Sequence, residues 1–278
     1  MGYDPVSEDP DTYDEVHPAK IDHITFKSEG CTLIGVHFRA QGPGKKPIAV
    51  ILHGFPGHER NFDLAHVLRR GGINTLIFHY RGAWGSGGDY RLSNLVQDVR
   101  NCLKFIRSED TSNELGIDPN RIILIGHSMG GWAALTTAAG DPNIKHIVTM
   151  AGFNLGLMRE FATESDLNRE IVMIGFKKFL PPVNGVTENI LMDEIMENGI
   201  KWNLLGITND LTDKSLLLIS ADRDQLAVQP FHHDPLFQKL KNEGIADLTE
   251  VKMNSDHSFS DKRIALSRVV LDWIVERI

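Results

Sequence analysis

The chain reads as an α/β protein whose mostly parallel sheet carries helices on both faces, and three observations lead there. Short β-rich apolar runs alternate with helical patterns along most of the 278 residues. The pentapeptide Gly126-His127-Ser128-Met129-Gly130 stands between an apolar run and an alanine-rich stretch, where a strand would turn tightly into a helix. Between Met150 and Lys214 the rhythm stops, and about 60 residues without a buried strand are too many for an ordinary connection, so they form an insertion.

Taken in order, residues 21–27 and 32–39 predict an antiparallel pair joined through Ser28, Glu29 and Gly30. Six further strands are expected at 48–52, 73–78, 122–125, 144–150, 215–219 and 247–253, giving an eight-stranded sheet with the insertion after the sixth strand. Helical patterns fall at 61–70, 92–107, 128–139, 235–242 and 261–276, with Gly71, Gly140 and Gly244 where helices commonly stop. Inside the insertion, two more patterns run over 167–180, ending at Pro181-Pro182, and over 188–198, ending at Gly199. The expected organisation is an acidic N-terminal segment (1–20), a main body (21–152 and 213–278) and a helical lid (153–212).

Composition narrows the class. With 41% hydrophobic and 24% charged residues the chain is an ordinary soluble globular protein. A net charge of −8 argues against nucleic acid as a partner, which calls for a basic face. Asp4, Glu8, Asp9, Asp11, Asp14 and Glu15 crowd the N-terminal segment, which is expected to fray or lie on the surface. Two cysteines, Cys31 and Cys102, allow one bridge at most and suit a reducing compartment. No signal-like leader and no membrane-length apolar run occurs, so a cytoplasmic protein without a membrane span is expected.

The pentapeptide carries chemistry. A serine hydroxyl is a poor nucleophile unless a tight turn pushes it toward a base and a pair of oxyanion donors. Glycines two residues to either side of Ser128 leave room for that turn. Glycine-flanked serines also occur in ordinary turns, so the context has to decide. Upstream, His53-Gly54-Phe55-Pro56-Gly57 follows the expected strand at 48–52; downstream, Asp224 and then His257 each lie just beyond a late strand.

On these motifs the chain resembles the α/β-hydrolase superfamily from Ile21 to the C-terminus, in the branch that uses serine rather than aspartate or cysteine as nucleophile. The resemblance implies the α/β-hydrolase fold and a triad of Ser128, Asp224 and His257, with backbone amides of Phe55 and Met129 as the oxyanion hole. Ala221 replaces the glycine of the family's acid-bearing Gly-x-x-Asp turn, which leaves Asp222 as a competitor for the acid. His53 is expected to brace its loop.

Other features have plainer readings. The loop Arg81-Gly82-Ala83-Trp84-Gly85-Ser86-Gly87-Gly88 lacks the order of a nucleotide-binding motif and is expected to border the site. His53, His58 and His66, and His232-His233 beside Asp234, lack zinc-site spacing, so no metal or other cofactor is expected. Met158, Met173, Met192 and Met196 would pack the lid onto the body or line an adaptable apolar pocket.

The function implied is hydrolysis of a small-molecule carboxylic ester through an acyl-enzyme, with the lid resembling that of cinnamoyl or feruloyl esterase-like enzymes. Two alternatives stand beside it. One is a small serine peptidase or acylaminoacyl hydrolase, since residues 48–107 also resemble prolyl-oligopeptidase-type catalytic domains; Glu160, Glu164, Asp193 or Glu194 would then anchor a substrate amine. The other is a ligand-binding protein on the same scaffold without catalysis.

Overall fold

In a computed structural model that describes residues 2–278, β1 (Lys20–Ser28) and β2 (Cys31–Arg39) pair antiparallel, Lys20 opposite Arg39. Every second residue near the end of β1 is buried, the mark of a strand with one wet face. By contrast β3 (Lys46–Leu52) and β4 (Asn74–Phe78) are buried almost throughout, because helices cover both their faces. With β5 (Ile117–His127), β6 (His146–Met150), β7 (Ser215–Ala221) and β8 (Asp247–Met253) they complete one eight-stranded sheet in the order β1-β2-β4-β3-β5-β6-β7-β8, parallel from β4 to β8. The expected α/β-hydrolase architecture is present.

Two apolar layers hold the sheet. On one face α1 (Phe62–Arg70) and α10 (Arg263–Val275) pack on the odd-side residues Ala49, Ile51, Ile123 and Ile125. On the other lie α2 (Leu95–Arg107) and α4 (Met129–Ala139), against Val50, Leu52 and Leu124. In α2 the buried residues Leu95, Val99, Cys102, Leu103 and Ile106 fall on one stripe, as an amphipathic helix requires. Cys31 and Cys102 are both free thiols.

Boundaries differ from the sequence reading where burial and hydrophobicity part company. β5 begins five residues early because its first half, with Asp118, Asn120 and Arg121, is polar or exposed and gave no apolar signal. A short helix α3 (Glu109–Glu114) had no apolar stripe to announce it; Ser108 caps it by accepting from the Thr111 amide. Between β6 and β7 stand three helices rather than two: α5 (Leu155–Glu164), α6 (Asp166–Phe179) and α7 (Glu188–Trp202), then two 3-10 turns at Leu204–Gly206 and Thr208–Leu211. Leu155, Leu191, Met192, Ile195, Leu204 and Leu211 join the same apolar cluster as α2 and α4. Two last helices, α8 (Gln229–His232) and α9 (Asp234–Asn242), link β7 to β8.

The acidic N-terminal segment is tied down at its start. Asp4 pairs with Arg268 on α10, Tyr3 donates to the Arg70 carbonyl at 2.6 Å, and Val6 joins the core beside α1. No helix among the described residues is long and apolar enough to cross a membrane.

Candidate active site

Parallel strands end on one side of the sheet, and the loops leaving those ends meet there. Ser128 follows β5 directly with φ 56° and ψ −124°, a strained conformation for a residue with a side chain. The flanking glycines allow it: a Cβ on Gly126 would collide with the Gly130 carbonyl, and one on Gly130 with the Leu52 carbonyl. The Ser128 amide donates to the Met150 carbonyl at 2.9 Å, anchoring the turn to β6.

Asp224, three residues beyond β7, is 7% exposed and splits its carboxylate between two tasks. Oδ1 accepts from the amides of Leu226 (2.7 Å) and Ala227 (2.9 Å), while Oδ2 accepts from Nδ1 of His257 at 2.7 Å. Burial pushes its pKa up, but the hydrogen bond and charge of His257 together with the two amides outweigh this and hold it below the usual value. Asp222 is exposed, and its backbone amide goes to the Met253 carbonyl. The structure thus joins Asp224 to His257. No hydrogen bond links His257 to the Ser128 hydroxyl, a contact that resting sites often hold long.

Beside the serine lies the loop after β3. A Cβ on Gly54 would stand 2.8 Å from Ser128 Cβ, so this backbone touches the turn itself. Met129 opens α4, where a helix provides no acceptor for its amide. The His53 ring donates through Nδ1 to the Gly54 carbonyl (2.8 Å), which leaves Nε2 to accept from Nδ1 of His79 (3.2 Å). Burial lowers the pKa of His53 to about 4 and that of His79 to about 3, so both rings are neutral braces. The glycine-rich loop borders this region: Trp84 Nε1 donates to the Pro56 carbonyl at 2.7 Å, and the Arg60 guanidinium lies 4.2 Å over the Trp84 ring.

The inserted helices cover the same side. Phe176 and Phe179 of α6 meet the Phe55 ring edge-on at 5.9 and 6.5 Å. The Phe153 amide donates to the Ser128 carbonyl at 3.0 Å. Of the four methionines in the insertion, Met192 is buried and Met158, Met173 and Met196 are partly buried against the core.

Several neighbours of the site carried no sequence signal. Phe153 stacks on His232 at 4.1 Å, and His232 Nδ1 accepts the Asn154 amide at 3.2 Å. Asn154 itself is buried and binds the far end of the insertion: Oδ1 accepts from the amides of Gly156 and Leu204 (both 3.1 Å), and Nδ2 donates to Asn203 Oδ1 (2.9 Å). Pairs so far apart in the chain share no local pattern. His233, Asp234 and Glu250 do cluster, but Lys252 Nζ sits 3.0 Å from Asp234 and 3.3 Å from Glu250, supplying the positive charge a cation would bring.

Residues 49–259 match the sequence profile of the alpha/beta hydrolase family. The chain belongs to that family. Among curated relatives, it is 27% identical over 168 residues to the quorum-quenching protein AidA of Acinetobacter baumannii, a match covering 58% of the chain and 54% of that protein. It is also 27% identical over 134 residues to epoxide hydrolase 3 of Xenopus tropicalis, covering 46% of the chain and 33% of that protein. The chain therefore spans from a third to about half the length of these two relatives. In three dimensions it resembles the Est1E structure from Butyrivibrio proteoclasticus with ferulic acid bound, at a TM-score of 0.72 and 17% identity, covering 91% of the chain and 98% of Est1E. At that identity the likeness speaks for the hydrolase fold alone.

Proposed function

We propose that this alpha/beta hydrolase is a serine hydrolase of carboxylic esters. The observation that carries the reading is the 2.7 Å hydrogen bond from His257 Nδ1 to Asp224 Oδ2, at strand ends that adjoin a serine strained to positive φ. Ser128 attacks the ester carbonyl carbon while His257 takes its proton. The negative charge that develops on the carbonyl oxygen rests on the amides of Phe55 and Met129. Collapse of the tetrahedral intermediate breaks the bond to the alcohol oxygen, which leaves with the proton from His257. Water, deprotonated by the same imidazole, then attacks the acyl-serine and releases the acid. Asp224 holds the tautomer with the proton on Nδ1 and offsets the imidazolium charge.

An epoxide-opening reading, suggested by the relative of that name, would need a carboxylate where this chain has Ser128. An aminoacyl preference would need a free acid in the insertion. Glu194 instead accepts from the amides of Leu92 and Ser93 and from the Ser93 hydroxyl. Glu160 accepts from Asn203, Glu164 from Asn168, and Asp193 is exposed. Three of these four acids are therefore engaged, and an amine-bearing substrate would have to be held by the exposed Asp193. The apolar rings of Phe55, Phe153 and Phe176 support an acyl or aryl group as the part recognised.

The test is Ser128→Ala. Hydrolysis of p-nitrophenyl acyl esters should fall by about 10⁵-fold, and labelling by a fluorophosphonate should vanish. Labelling that persists in the variant would remove Ser128 as nucleophile, and faster cleavage of aminoacyl amides than esters by the unaltered protein would remove the ester reading.

A further inference from the structure

At the far end of the sheet from Ser128, the starts of β1, β3, β4 and β5 and the end of β2 surround a pocket of about 340 Å³. Lys46 opens β3 and His53 follows its last residue, so the pocket and the loop beside Ser128 lie roughly 23 Å apart along one strand. The walls carry Lys20, Arg39, Lys45, Lys46 and His17, and no carboxylate side chain lines them. In a protein of net charge −8, that concentration of one sign in one concavity is the reverse of the average surface.

The cations are largely unspent. Lys20, Lys45 and Lys46 make no ion pair within 4.0 Å among the described residues. Lys45 Nζ has only the Ser112 hydroxyl, at 3.2 Å. Of the neighbouring acids, Asp118 binds Arg121 at 2.7 Å and feels the charge of Lys45, while Asp14 accepts the amides of Val16 and His17 and lies 3.8 Å from His17 Nδ1, so the three lysines rather than His17 carry the free charge. Arg39 does lean on Asp22 at 3.6 Å and donates to the Glu114 carbonyl at 2.7 Å, yet its Nε is buried without a hydrogen-bond partner. Like charges gathered in a cleft repel one another, and low-dielectric walls focus their field on whatever enters.

We propose that this pocket binds a small phosphorylated molecule, its phosphoryl oxygens held by Lys20, Lys45, Lys46 and Arg39. The volume is that of an ordinary small-molecule site rather than of a single ion. Ammonium groups suit a phosphoryl dianion as rotatable point charges, and Arg39, with Nε against Asp22 and Nη2 on the Glu114 carbonyl, adds the remaining end of its guanidinium. Because the site lies at the other end of β3, it is separate from ester cleavage.

Isothermal titration calorimetry on the full chain at low ionic strength, with inorganic pyrophosphate as the probe, decides the matter. Saturable one-to-one binding is expected, at least about tenfold weaker in Lys45→Gln/Lys46→Gln, retained in Lys46→Arg, and weakened by added salt. Thermal melting and p-nitrophenyl ester cleavage should be unchanged in these variants; should the double variant not fold, Lys20→Gln provides the same comparison. Absence of saturable heat at millimolar pyrophosphate would overturn the proposal, as would equal affinity in the folded lysine variants. Tighter binding of citrate than of pyrophosphate would overturn the phosphoryl assignment.

Discussion

His127, the residue directly before Ser128, donates through Nε2 to the backbone carbonyl of His257 at 2.8 Å. The two rings lie 5.0 Å apart, and His127 is 4% exposed. A carbonyl can only accept, so Nε2 carries the proton and Nδ1, buried with no partner, does not. The turn that presents Ser128 therefore also grips the loop that presents the imidazole, and the two cannot drift apart independently.

Cutting that grip should cost catalysis more than binding. His127→Leu removes the donor and leaves the His257 carbonyl unpaired, a loss of about 1 kcal/mol or more. Expected is a fall in kcat of about tenfold on a p-nitrophenyl ester with little change in KM. His127→Gln, whose amide can still donate, should recover most of the rate. Equal rates in the two variants would reduce His127 to a packing residue.

The same ring makes stability depend on pH. Burial, reinforced by the neighbouring His257, lowers its pKa from 6.5 to about 3, so the folded protein keeps it neutral where the unfolded chain protonates it. Between about pH 6.5 and 3 the unfolded state binds more protons, so stability is lost as pH falls through that window. Such a group contributes a slope of up to about 1.4 kcal/mol per pH unit. His37, His53 and His232, lowered to about 4, and His79, lowered to about 3, act in the same direction. Urea unfolding at stepped pH should show a steep decline below pH 6.5, shallower in His127→Gln by about one such increment. An identical slope in that variant would refute the assignment.

The acid can be assigned by contrast. Asp224→Asn keeps the shape but offers no charge to the imidazole, and its amide favours the wrong tautomer; kcat should drop by about 10²- to 10⁴-fold. Asp222, exposed and unattached to His257, should tolerate the same change within about twofold. Steady-state kinetics of the two variants suffices, and a reversed order would transfer the role.

How far the sequence reaches can be seen at Ser128 and Asn154. The serine is legible because its geometry is local: the tight turn needs glycines at fixed offsets, and the strand and helix around it have their own periodicities. Asp224 is chosen from the sequence by its place in the family's acid-bearing turn, with Asp222 as a competitor, and in the fold Asp224 is buried and bonded to His257 while Asp222 is exposed. Asn154, His127 and His79 matter through partners reached only after folding, and polar clamps of that kind leave no pattern in the chain. α5 went unforeseen for a related reason. Its buried residues, Leu155, Gly156 and Ala162, are few and small, so its apolar stripe is weak.

A buried pair fixes the glycine-rich loop. Asp98 on α2 is fully buried and accepts from the Arg81 amide (2.9 Å), Arg81 Nε (2.6 Å) and the Ser28 hydroxyl (2.6 Å). Burial nonetheless raises its pKa, so the carboxylate depends on these donors to stay ionised. Arg81→Ala should destabilise the protein by about 3–5 kcal/mol, because it strands a charge, whereas a comparable cut at the exposed pair of Lys145 and Asp213 should cost under about 1 kcal/mol. Urea denaturation reads both, and similar costs would mean that Asp98 is neutral in the fold.

The inserted helices pose the harder question of substrate choice. Deleting them is uninformative, since Leu191, Met192, Ile195 and Leu204 are continuous with the main core and their removal would expose it. Asn154 offers a subtler cut, because its buried side chain ties the entry of the insertion to its exit at Leu204 and Asn203. Asn154→Ala leaves buried amides at Gly156 and Leu204 short of an acceptor, a cost of about 1–3 kcal/mol. Local opening should follow, seen as faster hydrogen exchange in α5 and α7 than in the sheet. If these helices select the acyl group, the ratio of kcat/KM between short and long p-nitrophenyl esters should shift by about threefold or more while the reactivity of Ser128 toward a fluorophosphonate stays close to normal. A variant that exchanges faster in α5 and α7 yet keeps the same ratio would take substrate choice away from the insertion and leave it with the loop around Phe55.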